Sequence, residues 1–434
     1  MYEFLKNSLR FVSLDVGPNF QIDDGFVALK QLLFGRWISN THSKQYCENW
    51  FNDYLKQTED PNFRAYFTTN ARHGLYLLLK TLDLPKDSEV LVQGFSCIVV
   101  PNAVLQANLV PTTCDISAKT FNFDLDAVEK YITKKTKVWI IQHNMGLVMN
   151  MTKVQQIAER NNLILIEDCA HSLGGMHDGK PVGCFGDAAI FSFGRDKIIS
   201  TTNGGVVTFN PQQRAWQNNF ENEYKNLNQV NQKQTDENLL YPVLVVFFIR
   251  PLYRLLLGKI VAVLNLRLRL TGEVYTNGEK SAEVFVTATQ YSNQLYPLLA
   301  NQLKKVTVLN DHRKKLATIY AQYFGVEYGP NSVYLRFPLY LKSVTKSEKV
   351  DFNSTRYDQI MIKAKSLGIY LGSWYTQTFV GSNQSEHDNS YLFTPDTTPT
   401  TAKLIQHQVI NLPTNIHTSV DEARLICKVI THAR

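Results

Sequence analysis

Four side chains in this 434-residue sequence are of chemically useful types and sit where a sheet would present them: Asp168, His171, Ser192 and Lys197. Asp168 closes the run LILIED, and His171 follows three residues later in EDCAHSLGG. Ser192 and Lys197 share FSFGRDK, with Gly204 and Gly205 shortly after. A crowded lysine with a depressed pKa is a nucleophilic amine, able to form an imine with an aldehyde. Pyridoxal phosphate uses such an imine. Its ring is an electron sink when a carboxylate keeps the pyridine nitrogen protonated. Its phosphate needs hydroxyl and backbone N–H donors, best supplied at a helix N-terminus. Lys197, Asp168 and Ser192 meet those three demands. A further phosphate cradle is TTNARHGLYLLLKTL (68–82), where the N–H groups of Ala71 and Arg72 open a helix and Thr69 or Asn70 caps it. Each residue alone also has a plain reading: a capping Asp, a structural His, a solvated Lys.

The elements that must hold these residues are short apolar runs alternating with longer mixed segments. VLVQG (90–94), VPTTCDI (110–116), KVWIIQH (137–143), LILIE (163–167), AAIFSF (188–193) and GVVTF (205–209) read as strands. DLDAVEKYITK (124–134) and KVQQIAERNN (153–162) have helical spacing. Strands apolar on both faces and joined by helices predict an α/β unit with a mostly parallel sheet. Such sheets place ligands beyond the carboxyl ends of the strands, where the four residues fall. Residues 211–238 are polar and predict a surface excursion. The stretch 281–434 predicts a smaller C-terminal α/β domain, giving a division at 1–210, 211–280 and 281–434.

Composition excludes little and directs a little. Hydrophobic residues at 44% and charged residues at 19% are those of an ordinary globular protein. The net charge of +7 is spread along the chain, which argues against a nucleic-acid partner. The cysteines, including Cys97 and Cys169, show no C-x-x-C or other metal-binding spacing, so no metal is expected. MYEFLKNSLRFVSLD lacks the features of a signal peptide, and with free thiols this predicts a cytoplasmic protein.

Three blocks, IEDCAHSLGG, GKPVGCFGDAAIFSFGRDK and NGGVV, occur in the order and at the spacing of one family. In them the chain resembles the DegT/DnrJ/StrS nucleotide-sugar aminotransferases, of the aspartate-aminotransferase-like type I fold. Weaker likeness extends over about 64–210 and 281–430. The resemblance implies a large domain built on a seven-stranded-type sheet, pyridoxal 5'-phosphate as cofactor, and a homodimer. It makes Lys197 the imine-forming and proton-shuttling residue and sets Asp168 against the pyridine nitrogen. It brings His171 to the ring, and Ser192 with the backbone at Ala71 and Arg72 to the phosphate. The implied reaction moves an amino group from an amino acid, glutamate in most members, to a nucleotide-linked keto-sugar for surface glycan or deoxyaminosugar synthesis. A related dehydratase branch carries histidine in place of the lysine; Lys197 is present here. Four departures stand out. Cys97 occupies the place of the ring-stacking aromatic, with Phe95 two residues away; Ala71-Arg72 replaces Gly-Thr; Thr202-Asn203-Gly204-Gly205 replaces Gly-Glu-Gly-Gly; and Gln290 stands where an arginine is usual.

Segment 239–270 has no counterpart in the family core. It holds Arg250, Arg254, Lys259, Arg267 and Arg269 and no acidic residue. Pro251 is expected to split it into two helices, each too short to span a bilayer. Positions 250, 254 and 259 predict a basic stripe beside a wide apolar face. That fits either peripheral contact with the inner face of a membrane or packing inside the protein. Two further functions stay open: another pyridoxal-phosphate sugar reaction such as dehydration, and a non-catalytic scaffold of the same fold.

Overall fold

The computed structural model describes residues 11–14, 16–56, 60, 62–273, 277–280, 287–343, 354–374, 379–380, 400–406 and 408–432; MYEFLKNSLR lies outside them. Its centre is a seven-stranded sheet. The strands are β1 (Tyr66–Thr68), β2 (Glu89–Gln93), β3 (Val110–Cys114), β4 (Thr136–Gln142), β5 (Ile164–Asp168), β6 (Ala188–Ser192) and β7 (Gly205–Phe209). Their spatial order is β1-β7-β6-β5-β4-β2-β3. β7 runs antiparallel to both neighbours and the other pairs are parallel. The runs predicted as strands are strands because both faces are covered: Val138 to Ile141 and Leu165 to Ile166 are buried among helices.

The helices form where apolar side chains recur on one face. α1 (Ile22–Phe34) and α2 (Thr41–Tyr54) precede the sheet, and α3 (Ala71–Thr81), α4 (Val99–Gln106) and α5 (Met151–Arg160) connect its strands. α5 buries Met151, Val154, Ile157 and Ala158, and the Asn150 side chain caps it by accepting from the Lys153 N–H at 3.1 Å. The run DLDAVEKYITK, predicted helical, forms a single 3-10 turn at Val128–Tyr131. It offers one inward pair, Val128 and Tyr131, and turns extended at Ile132, too short for a costly helix nucleus. The polar stretch 211–238 lies largely at the surface, as expected, and is mostly helical. It forms α6 (Arg214–Lys225) and the start of α7 (Gln232–Leu244), whose buried faces use polar residues such as Gln217, Thr235 and Asn238. Helical winding continues through Pro251 to Leu252. The break comes instead at Leu256, in the left-handed region with φ +65°, and α8 (Leu257–Leu268) follows. Pro251 follows directly on the π-helical turn Val245–Ile249 without a break in the winding.

Beyond α9 (Tyr296–Leu303) and the long α10 (Val306–Phe324) lies a second, smaller core. It gathers α10, the antiparallel pair β8 (Phe337–Tyr340) and β9 (Val409–Leu412), α11 (Ser354–Ser366) and α12 (Val420–His432). Val12–Ser13 runs parallel to Ile369–Tyr370, so a segment ahead of the large sheet joins this C-terminal unit.

The register of the sheet aligns what the site needs. Gln142 lies opposite Asp168, Ile190 opposite Asp168, Ser192 opposite Gly205, and Gly205 opposite Thr68. One strand-end row therefore leads from Gln142 to the N-terminus of α3. Glycine is needed at 205, since a Cβ there would lie 2.4 Å from the Ala71 nitrogen, a backbone atom that cannot step aside. Gly205→Ala is expected to cost roughly 1–3 kcal/mol through this overlap. A thermal melt of variant and parent is the check, and an unchanged melting temperature would contradict the close approach.

Candidate active site

The strand-end row opens into a cleft at the carboxyl ends of the strands. Asn70, Ala71, Arg72, Cys97, Asp168, His171, Ser192 and Lys197 all line it. The fold thus brings every residue singled out as a cofactor contact to one place, across 128 positions of chain. Thr69 does not cap α3; its hydroxyl turns to Thr289, 2.6 Å away, and the Asn70 side chain accepts from the His73 N–H at 3.0 Å.

Asp168 is held rather than paired with a strong cation. It accepts from Gln142 Nε2 at 2.9 Å and from the Ala170 N–H at 3.0 Å. Burial raises its pKa, and the Ala170 and Gln142 hydrogen bonds offset that only in part. A buried carboxylate in such a state favours a cationic partner. Lys197 Nζ lies 2.9 Å from His171 Nε2 and 3.9 Å from Asp196 Oδ1. His171 is oriented from behind, its Nδ1 accepting the Met145 N–H at 3.2 Å. Burial, then the charge of Lys197, push the His171 pKa well down, so its ring is neutral at physiological pH. At Asp196 burial works upward, but Lys197 and Arg336 outweigh it and leave the carboxylate lowered.

Several residues at the site carried no local signal. Arg336 is 2% exposed, reaches Asp196 Oδ2 at 3.0 Å and stacks its guanidinium 3.6 Å from the centroid of Trp374. Trp374 also stacks on His171, with centroids 5.9 Å apart, and lies 5.6 Å from Lys197 Nζ. The aromatic group near Lys197 thus comes from the C-terminal region; Phe95 is fully buried in the apolar cluster against which Trp374 packs. Cys97, by contrast, faces the cleft. The departure at Gln290 is a local one: its N–H donates to the Asn228 carbonyl at 2.9 Å and its Nε2 to the Tyr224 carbonyl at 3.0 Å, tying the edge of β1 to α6.

Asn238, Tyr241, Thr271, Gly272 and Glu279 brace, from behind, side chains that line the cleft. Thr202, where Gly is usual, sits at φ +72°; its hydroxyl donates to the Asn238 carbonyl at 2.7 Å, and Asn203 reaches the Asn238 side chain at 3.1 Å. Arg195 donates to the carbonyls of Thr271 and Gly272 and covers the Tyr241 ring at 4.3 Å. Arg72 forms an ion pair with the buried Glu279. The expected basic stripe is corrected at its first member: Arg250 turns inward and donates to the Val16 carbonyl at 2.8 Å and the Gly17 carbonyl at 3.1 Å.

Behind Asp168, the buried His143, Glu167 and Cys169 bring ligand-type atoms within 4.8 Å of one another. Glu167 is already spent on backbone: it accepts the N–H groups of Gly183 at 2.9 Å, Phe185 at 2.6 Å and Gly186 at 2.8 Å. That cluster fixes the turn before β6.

The sequence profile of the DegT/DnrJ/EryC1/StrS aminotransferase family matches residues 22–236. The chain belongs to the DegT/DnrJ/EryC1/StrS aminotransferase family. It is 33% identical over 184 residues to the GDP-perosamine synthase of Escherichia coli O157:H7, covering 42% of this chain and 49% of that protein. To the L-glutamine:2-deoxy-scyllo-inosose aminotransferase of Streptomyces lividus it is 35% identical over 134 residues, 31% of this chain and 32% of that one. The chain thus spans about half or less of the length of the curated relatives it matches. The fold is matched end to end by Helicobacter pylori PseC, an aminotransferase of pseudoaminic acid biosynthesis, at TM-score 0.69 and 18% identity over 97% of this chain and 98% of that one. The aminotransferase from Psychrobacter cryohalolentis matches at TM-score 0.71 and 20% identity, with 97% and 98% covered. The family's seven-stranded, mostly parallel sheet between helices is the sheet found here. Outside the family profile lie Gln290, Arg336 and Trp374.

Proposed function

We propose that this protein is a pyridoxal-phosphate-dependent aminotransferase that moves an amino group from an amino acid, glutamate by family analogy, to a keto-sugar carried on a nucleotide. The observation that carries the reading is the meeting in one cleft of Lys197 and the buried Asp168. The donor set fits the cofactor. Ser192 and the first N–H groups of α3 suit a phosphate, Asp168 suits a pyridinium nitrogen, and Lys197 is the amine. When bound, the cofactor supplies an electron sink that stabilises negative charge on the carbon next to the transferred nitrogen.

The chain's own residues do the rest. Lys197 Nζ would hold and move the proton taken from the amino donor's carbon. His171, neutral and held by the Met145 N–H, keeps Nε2 against Lys197 Nζ, a positioning role. Asp168, held by Gln142 and Ala170, would face the ring nitrogen and favour its protonated form. Asp196 and Arg336 form a fixed ion pair beside Lys197, and Trp374 covers it from water. Support for a sugar substrate comes from the named relatives, several of which are aminotransferases of sugar or cyclitol pathways.

The same proposal includes a homodimer in the cytoplasm, working at the inner face of a membrane through segment 239–270. A GDP-4-keto-6-deoxymannose-3-dehydratase, at TM-score 0.67 and 18% identity, is a structural relative on the side of the dehydratase alternative. Lys197 favours transfer over that branch. The test is a panel of nucleotide-linked keto-sugars incubated with glutamate and the holoprotein, following 2-oxoglutarate and amino-sugar by mass. Stoichiometric formation of both is expected. Sugar dehydration without amine uptake would move the assignment to the alternative.

A further inference from the structure

Two helices of this chain are built inside out. α8 turns Gly258, Val261, Ala262 and Asn265 toward the protein, its small or polar positions. Outward it turns Leu257, Ile260, Val263, Leu264, Leu266 and Leu268, each between 46% and 73% exposed. The close packing requires the small face: a Cβ at Gly258 would lie 2.2 Å from the Ile249 carbonyl oxygen. α1 repeats the pattern. It buries Asp24, Gly25, Ala28 and Gln31 and exposes Ile22, Phe26, Leu33 and Phe34, with Trp37 just beyond at 79% exposure. A surface helix of a soluble protein does the reverse.

Both helices pack on the same segment, Val245–Ile249. Gly25 of α1 sits against Val246 and Phe247, Phe26 stacks edge-on with Phe247 at 5.1 Å, and α8 adjoins the segment from its other end. Phe248 on that segment is itself 45% exposed. Among the described residues the exposed cations here include Lys30, Lys259 and Arg267, while Arg36 pairs with Asp236 at 2.8 Å, the exposed Asp23 of α1 pairs with Lys305 at 2.6 Å, and residues 239–270 contain no acid. Arg269 is neutralised by Glu273 at 3.1 Å. Among the described residues no helix is long and apolar enough to cross a membrane.

We propose that α1, Phe248 and α8 together form a docking surface for an anionic lipid bilayer, with the apolar side chains entering the interface and Lys30, Lys259 and Arg267 meeting lipid phosphates. This names the partner for the membrane contact in the proposal above and rests on that reading for its functional meaning only. Charge selects the lipid over a second copy of the chain. A two-fold contact would set the same cations of both copies into one interface with no acid on α8 to meet them, whereas an anionic leaflet attracts each of them. The surface is also wired to the cleft. The turn after α8 supplies the Thr271 and Gly272 carbonyls that hold Arg195, two residues from Lys197.

The test is flotation of the purified full chain with vesicles of phosphatidylcholine alone or mixed with phosphatidylglycerol, without substrate, so that failed amine transfer does not affect the readout. Binding is expected only with the anionic lipid and is expected to weaken at high salt. Lys259→Gln and Arg267→Gln should each weaken it about fivefold. The double variant Ile260→Asp/Leu264→Asp should abolish it while keeping the parent's melting curve and sedimentation coefficient, because both side chains already face outward. Absence of flotation by the parent overturns the proposal. So does a double variant that sediments as a smaller species, which would assign the face to a second copy.

Discussion

Lys197→Ala lowers amine transfer by at least on the order of 10⁴-fold, the upper end of what one positioned proton carrier contributes, because the covalent attachment is lost with it. The loss is in function and not in fold. Lys197 is 18% exposed at its side chain, and Asp196 keeps Arg336 at 3.0 Å when the lysine is gone. Its melting temperature should therefore stay near the parent's, and His171 should remain seated by the Met145 N–H. Single-turnover rates with the pyridoxamine form and with the glutamate half-reaction measure the effect. A variant retaining more than about a hundredth of the parent rate would remove Lys197 from the chemistry.

Asp168→Asn separates stability from activity in the opposite sense. Burial raises the Asp168 pKa above its ordinary value of 3.8. A carboxyl whose folded pKa is raised binds its proton more tightly folded than unfolded, so stability falls as pH rises from 3.8 through the folded value. Above that window the charged form costs stability in the cofactor-free protein. Asparagine removes the charge and keeps the geometry: its oxygen accepts the Ala170 N–H, and Gln142 turns its amide to offer Oε1, which has no hydrogen-bond partner as it stands. The apo variant should melt at or above the parent at neutral pH, and the difference should disappear as pH falls below 3.8. Catalysis by the loaded variant should drop on the order of 10²–10³-fold, as for loss of one buried electrostatic stabiliser. Melting curves against pH alongside steady-state rates provide both readouts. A destabilised apo variant at neutral pH would mean that Asp168 is engaged with a cation already in the protein.

These two positions were legible because chemistry sat at strand ends. LILIED and AAIFSF are apolar enough on both faces to announce a parallel sheet, and the residues after them face the cleft for topological reasons. What escaped were contacts that depend on long loops closing. Arg336 pairs with Asp196 across 140 positions, and Asn238 braces Thr202 across 36. An arginine in YLRFPLYL or an asparagine in a polar stretch has no periodicity that marks it. α6 did carry a signal, Trp216, Phe220 and Tyr224 at helical spacing on its inward face, set among polar residues, whereas the start of α7 buries Thr235 and Asn238 and gave none. In 239–270 the apolar content was plain, but only coordinates show that Leu239, Val245 and Ile249 enter the core, that the large side chains of α8 point away from it, and that Arg250 turns inward. The Thr202 departure reads differently once its brace is visible. A positive φ that glycine adopts freely is held here by the Asn238 carbonyl on α7.

The account's central claim is that Lys197 is the covalent anchor of the cofactor, opposite Asp168 in the same cleft. Borohydride reduction of the pyridoxal-phosphate-loaded protein, followed by peptide mapping, tests it most directly. The account predicts one phosphopyridoxyl group, on the peptide carrying FSFGRDK and on its lysine; a label on any other lysine, or none after loading, would contradict it.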